Sequence, residues 1–126
     1  MKILVVHRQV EIAQKIKTHV NAQNCFINYC DTGLDGLFAG RHESFDFIFC
    51  EINLPVISGI EMIRSLRMSS SNINTPVIFI AEDANDKLIH LAETLDVKYV
   101  IDISQFDQKL DELLLHVVLE ERKAIN

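Results

Sequence analysis

The sequence predicts an α/β fold: a five-stranded parallel sheet, doubly wound, with helices on both faces. Two patterns and one rule of chain geometry carry this. Short apolar runs alternate with amphipathic stretches five times along the 126 residues. The runs are dominated by β-branched and aromatic side chains, as suits strands buried on both faces of a parallel sheet. Parallel neighbours require right-handed crossovers, so the intervening helices must cover both faces.

The elements follow in order. Ile3–Val6 is the first strand. Ile12, Ile16 and Val20 recur at a spacing of four and mark the first helix, with Lys15 and Lys17 elsewhere on its surface. Cys25–Cys30 is a weaker second strand, and Leu34, Leu37 and Phe38 mark a short second helix. Phe47–Cys50 is the third strand. Ile60, Ile63 and Leu66 give a third helix whose apolar stripe is interrupted by Arg67. Val77–Ile80 is the fourth strand, followed by a helix carrying Leu88, Leu91, Ala92 and Leu95. Tyr99–Ile101 is the fifth strand. Leu110, Leu113, Leu114, Val117 and Val118 make the last and clearest helix. Asp31-Thr32-Gly33 and Ser58-Gly59 supply turn and cap chemistry before helices two and three. Asn74-Thr75-Pro76 breaks the chain before strand four.

Composition bounds the function. A chain of this length fits one domain over 1–126, and a hydrophobic fraction of 48% suffices for a core without disulfides. The 12 basic and 18 acidic residues leave a net charge of -6 with no block of like charge. That balance argues against nucleic acid or an anionic membrane as partner, since both need clustered Lys and Arg. Cys25, Cys30 and Cys50 form no C-x-x-C pair, and they read as small buried hydrophobes in a reducing compartment. The opening run Ile3–Val6 is too short for a signal peptide or a membrane span, so a cytoplasmic protein is expected. His19, His42, His90 and His116 lack metal-ligand spacing.

In an open parallel sheet, ligands bind beyond the carboxyl ends of the strands, where the strand order reverses. The residues predicted there are His7 and Arg8 after strand one, Glu51 after strand three, Ala81 and Glu82 after strand four, and Asp102 after strand five. Over nearly its whole length the chain resembles the receiver domain of two-component response regulators, a flavodoxin-like fold, which implies the strand order 2-1-3-4-5. The strongest local signal is Phe47-Ile48-Phe49-Cys50-Glu51-Ile52-Asn53-Leu54-Pro55-Val56-Ile57-Ser58-Gly59, similar to that family's third strand, phosphoacceptor, Pro-containing loop and Gly turn. Lys2-Ile3-Leu4-Val5-Val6 is similar to its first strand, and Thr75-Pro76-Val77-Ile78-Phe79-Ile80 to its fourth.

The resemblance assigns roles, and the pocket departs from each of them. Where the family holds Mg²⁺ with an acidic pair, this chain has His7 and Arg8. Glu51 stands at the phosphoacceptor Asp. Ala81 stands at the Thr or Ser that bonds the phosphoryl group, and Asp102 at the Lys that contacts it. Tyr99 matches the aromatic switch. Mg²⁺ needs several oxygen ligands, and Arg8 repels a cation. The expectation is therefore a degenerate pocket with no metal, no cofactor and no acyl phosphate. Arg8 is expected to pair with Glu51 or with Asp102 in place of the metal, or else to face solvent. Glu51 reads either as a permanent imitation of the phosphorylated state or as a tolerated replacement. His7 reads either as a pH-sensitive group or as a space filler at a strand end.

The last helix carries more apolar residues than one buried stripe needs. Leu115 and Leu119 fall nearly opposite the Leu110 face, near Arg122. In the receiver family helix four, strand five and helix five form the usual signalling and dimer face. The implied function is a phosphorylation-independent receiver, not an enzyme, that contacts a signalling partner such as a histidine kinase or an output protein, or forms a homodimer. Two alternatives are a working phosphorelay receiver with altered chemistry and a flavodoxin-like nucleotide or flavin protein. The latter needs a Ser/Thr/Gly-rich phosphate loop after strand one, which His7-Arg8-Gln9-Val10 does not offer.

Overall fold

The structure is a computed structural model that describes residues 1–20 and 25–125, the side chains of 116–125 excepted. Strands β1 (Lys2–Val6), β2 (Phe26–Cys30), β3 (Phe47–Glu51), β4 (Val77–Ala81) and β5 (Tyr99–Asp102) alternate with helices α1 (Val10–His19), α2 (Gly33–His42), α3 (Gly59–Met68), α4 (Asp86–Thr94) and α5 (Phe106–Ile125). A single 3-10 turn, Ile103–Gln105, leads into α5. The strands form one sheet of order β2-β1-β3-β4-β5, and every pairing is parallel.

The pleat sends alternate side chains to two cores. Ile3, Val5, Phe47, Phe49, Ile78 and Ile80 meet Ile12 and Ile16 of α1 and Phe106, Leu110 and Leu113 of α5. Leu4, Val6, Ile48, Cys50 and Phe79 meet Met62, Ile63 and Leu66 of α3, and Ala92 and Leu95 from the α4 side. β3 and β4 are buried along their whole length.

The helix starts use the cap residues that the sequence offers. Thr32 Oγ1 accepts from the Asp35 amide at 3.1 Å, and Ser58 Oγ from the Glu61 amide at 3.2 Å. Asn85, a cap the sequence reading passed over, does the same for Leu88 at 2.9 Å.

α2 departs from expectation in its orientation. Leu34 and Phe38, which mark the helix in the sequence, are 51% and 66% exposed. Its buried side is Gly33, Gly36 and Gly40. A Cβ on Gly36 would lie 2.7 Å from both Met62 Sδ and Val6 Cγ2, and one on Gly40 2.6 Å from Leu66 Cδ1. The helix lies close to the sheet and to α3 at these positions, so it packs through backbone there, with Leu37 half-buried against the same core and Leu34 and Phe38 turned outward.

Cys25, Cys30 and Cys50 are unpaired. Burial pushes all three thiols up, Cys50 the furthest, so they act as packing groups. Among the described residues no helix is long and apolar enough to cross a membrane.

Candidate functional site

At the carboxyl ends of β1, β3 and β4 lies a cleft of about 70 Å³, lined by His7, Arg8, Glu51, Asn53, Ala81 and Glu82 among others. β1 and β3 are neighbours in register, with Val6 opposite Cys50, so the residues that follow β1 face the end of β3.

Glu51 is the centre of the cleft and is 6% exposed. Three N–H groups of Arg8 hold its carboxylate. The Arg8 amide donates to Oε2 at 2.9 Å, while Nε and Nη2 converge on Oε1 at 2.9 and 2.6 Å. Burial is the largest single influence and pushes the Glu51 carboxyl up, but the hydrogen bonds from Arg8 and the charge interactions with its neighbours together outweigh it, and the net shift is downward. Glu51 is therefore a carboxylate at neutral pH. The same contact pushes the Arg8 guanidinium up, and Glu82 Oε1 stands 3.6 Å from Nη2. Arg8 stays half in solvent, its side chain 48% exposed against 8% for Glu51.

His7 is 3% exposed and held on several sides. Its amide donates to the Cys30 carbonyl at 3.0 Å, and its own carbonyl accepts the Tyr29 hydroxyl at 2.6 Å. Its Nδ1 accepts the Gln9 amide at 3.0 Å, which requires that nitrogen to be unprotonated. Desolvation lowers its pKa, against the opposing charge of Glu51, and Arg8 adds to the lowering. Glu51 Oε2 stands 3.7 Å from Nδ1, within reach if the ring ever gains a second proton.

The structure thus brings His7, Arg8, Glu51, Ala81 and Glu82 together, with Arg8 on Glu51. Asp102 is a correction. Its Oδ1 accepts the Ser104 amide at 3.0 Å and the Ser104 hydroxyl at 2.7 Å, capping the 3-10 turn. It neither lines the cleft nor pairs with Arg8. β5 also lies one strand further from β3, with Asp102 opposite Ala81, and a carboxylate with N–H and O–H donors two residues away is satisfied locally. Those bonds to Ser104 lower its pKa. Tyr99 sits at the far end of β5, half-buried and packed towards the α1/α5 core. Leu115 is 62% exposed on α5, while the side chains of Leu119 and Arg122 lie outside the described residues.

Gln9 and Asn53, which the sequence reading did not single out, also line the cleft. Gln9 acts through its amide, and no side-chain pattern announces that. The loop after β3 turns tightly beside them: the Ile57 amide donates to the Pro55 carbonyl at 2.8 Å, with Val56 between them at φ 68° and 86% exposed. Positive φ is strained for a β-branched residue.

Residues 3–114 match the response regulator receiver domain family. The chain belongs to that family. It is a receiver domain of two-component signalling, a class of domain that relays signals by contact with kinases or output domains. The cell cycle response regulator CtrA of Brucella ovis is 30% identical to this receiver over 81 residues, covering 64% of this chain and 34% of that protein. The receiver thus spans about a third of the length of the curated relatives it matches. Among solved structures, the Francisella response regulator 1452 receiver domain superposes with a TM-score of 0.80 at 24% identity, covering 98% of each chain. The chemotaxis response regulator CheY4 of Vibrio cholerae gives 0.80 at 20% identity, over 92% of this chain and 97% of that one. These likenesses bear on the fold alone.

Proposed function

We propose that residues 1–126 form one cytoplasmic receiver unit that works by protein contact, without phosphorylation, in a state fixed by the Arg8–Glu51 pair. The observation that carries this reading is the engagement of both oxygens of the buried Glu51 carboxylate by three N–H groups of one arginine.

Magnesium, which the family implies, does not fit these residues. A magnesium site needs several oxygen donors in octahedral array. Here the position after β1 holds a neutral, buried imidazole and then a cation that already occupies Glu51. Among the described residues no three His, Cys, Asp or Glu side chains are grouped to hold a metal ion. Phosphoryl transfer rests on neutralising charge on the moving group. Arg8 is the cation in this cleft, and it is engaged by the group that would be the acceptor. Ala81 offers no hydroxyl, and Asp102 is an anion engaged by Ser104. Glu51 thus acts as a fixed charge, His7 as its buried support and Arg8 as its clamp.

Contact with a signalling protein, a histidine kinase or an output protein, or a second copy, is assigned to the face of α4, β5 and α5. A groove of about 430 Å³ beside α4 and β5 is lined by Ile89, Val97 and Val100 with Glu93 and Lys98. Leu115 is exposed on α5. An apolar centre with charges of both signs around it suits a protein interface.

Intact-mass analysis after incubation with a small-molecule phosphodonor and magnesium tests the reading. The expected result is unmodified protein. A stoichiometric gain of about 80 Da, one phosphoryl group, mapped to Glu51 would overturn it.

A further inference from the structure

α2 is built inside out for a helix of a monomer. A surface helix ordinarily turns its large apolar residues to the core. Here three glycines and the half-buried Leu37 take the inner side, while Leu34 and Phe38, one turn apart, are exposed, Phe38 stacked on His42 of its own helix. Gly in a helix interior is itself unfavourable relative to Ala, so both faces of α2 run against monomer stability. Val56, in the loop whose Ile57 carbonyl abuts Gly33, adds another exposed apolar side chain beside the start of the helix.

The charges around this stripe are ordered along it. Asp35 sits in the first turn of α2, and Arg41 and His42 in the last. α3, tied alongside by the 2.7 Å bond from Arg41 Nη2 to Ser65 Oγ, has Glu61 in its first turn. The surface of α2 itself is therefore acidic in its first turn, basic in its last and apolar between, while Arg64 of α3 and Glu43 just past the end of α2 add one charge of each sign. Such a surface is complementary to itself when turned end over end. A two-fold axis through Phe38 sets Phe38 on its own copy, three residues either side of which lie Asp35 and Arg41. The acidic end of each helix then meets the basic end of the other, and the two helix dipoles run antiparallel.

We propose that the outer face of α2, centred on Phe38, is a homodimer interface in which two copies pack α2 against α2 antiparallel. The occupant is a second copy of this chain, because one contiguous surface supplies both the apolar stripe and the charges that complement it. This face is separate from α4, β5 and α5, and one molecule can use both.

Sedimentation equilibrium of the full chain over a range of concentrations tests the proposal, with circular dichroism melts to verify folding of each variant. The wild type is expected to show a reversible monomer–dimer equilibrium. Phe38→Ser and Leu34→Ser, both at exposed positions, are expected to weaken it at least tenfold, while each variant still melts cooperatively at dilutions where the wild type is also monomeric. Asp35→Arg and Arg41→Asp are each expected to weaken it severalfold, while the charge-swapped double variant D35R/R41D recovers association. Leu115→Asp is expected to leave the dimer intact. A wild type monomeric at every concentration overturns the proposal. So does a dimer that Leu115→Asp abolishes and Phe38→Ser does not. A double variant no better than the singles overturns the antiparallel arrangement.

Discussion

Two arginines at opposite ends of the sheet show two ways of satisfying a guanidinium. Arg8, at the carboxyl ends of the strands, places its N–H groups on the buried carboxylate of Glu51. Arg67, at the opposite end, places its N–H groups on main-chain carbonyls: Leu95 at 3.0 Å, Asn72 at 3.1 Å, Ile73 at 3.0 Å, Thr75 at 2.7 Å and Asp96 at 3.4 Å. Beside Arg67, Asn72 is fully buried. Its Oδ1 accepts the Phe45 amide and the Thr75 hydroxyl, each at 2.9 Å, and its Nδ2 donates to the Gly40 and Glu43 carbonyls. The Arg67 end sews together three loops with neutral dipoles, and no charge there has to change for it to work. The Arg8 end balances one charge against another, so it responds to pH and to the loss of either partner. Polar groups at the Arg67 end are answered mostly by backbone, and the buried carboxylate of the cleft by opposite charge.

The largest effect is expected at the structural end. Asn72→Ala strands the Phe45 amide and the Gly40 and Glu43 carbonyls in a buried site, while the Thr75 hydroxyl keeps the Phe45 carbonyl at 3.2 Å; at roughly 1–3 kcal/mol for each buried orphan, part of it relieved by relaxation, the loss is about 3–5 kcal/mol. Urea denaturation measures it, and the loss should be the same at pH 5.5 and pH 8. A loss that varied with pH would erase the distinction between the two ends.

Arg8→Ala comes next. It leaves Glu51 buried and unpaired, but Arg8 is half exposed and water can enter, so about 1–3 kcal/mol is expected rather than the full cost of breaking a dry pair. Glu51→Gln in the Arg8→Ala background should recover most of it, because a neutral amide needs no counter-charge. No recovery would mean that Arg8 acts by packing alone.

A smaller effect separates the ends by pH. The pKa values of His7 and Glu51 are both depressed in the fold, from ordinary values of 6.5 and 4.5. A depressed value means that the unfolded chain takes up the proton first, so stability falls on acidification. For His7 the fall begins as pH drops below about 6.5, and for Glu51 below about 4.5. His7→Gln should remove the first decline and leave the second, as read from melting temperatures across this range. If the first decline survived, it would belong to another group.

Val56→Gly should give the smallest effect, and a gain. Relief of positive φ contributes about 1–2 kcal/mol, and the extra freedom of Gly in the unfolded chain takes back about 0.5–1. A net stabilisation of about 0.5–1 kcal/mol is expected by urea denaturation. A loss would show that the Val56 side chain is held by contacts of its own.

The sheet was legible in the sequence because each strand is a run of β-branched and aromatic residues, and burial on both faces leaves no other use for such runs. The Arg8–Glu51 contact was legible as one of three alternatives, since strand order alone brings the ends of β1 and β3 together. Asp102 was misplaced because topology locates a backbone, and its carboxylate found nearer donors in Ser104. Of the three residues that mark α2, only Leu37 packs inward; the rest of its inward face was invisible because glycine leaves no mark in a hydrophobic pattern. There, Leu34 and Phe38 supply helical spacing on the wrong side. Arg67 showed only as an interruption of an apolar stripe. Its acceptors are carbonyls, which every residue carries, so no residue type could identify them.

The most direct test of Arg8 as the resident cation of the cleft is a magnesium titration followed by the amide NMR signals of Arg8 and Glu51. No saturable shift is expected at either amide in the wild type up to millimolar magnesium. Saturable shifts at both, with displacement of the Arg8 side-chain Nε–H signal, would show the metal taking the carboxylate from the arginine and would contradict a cleft closed by its own side chain.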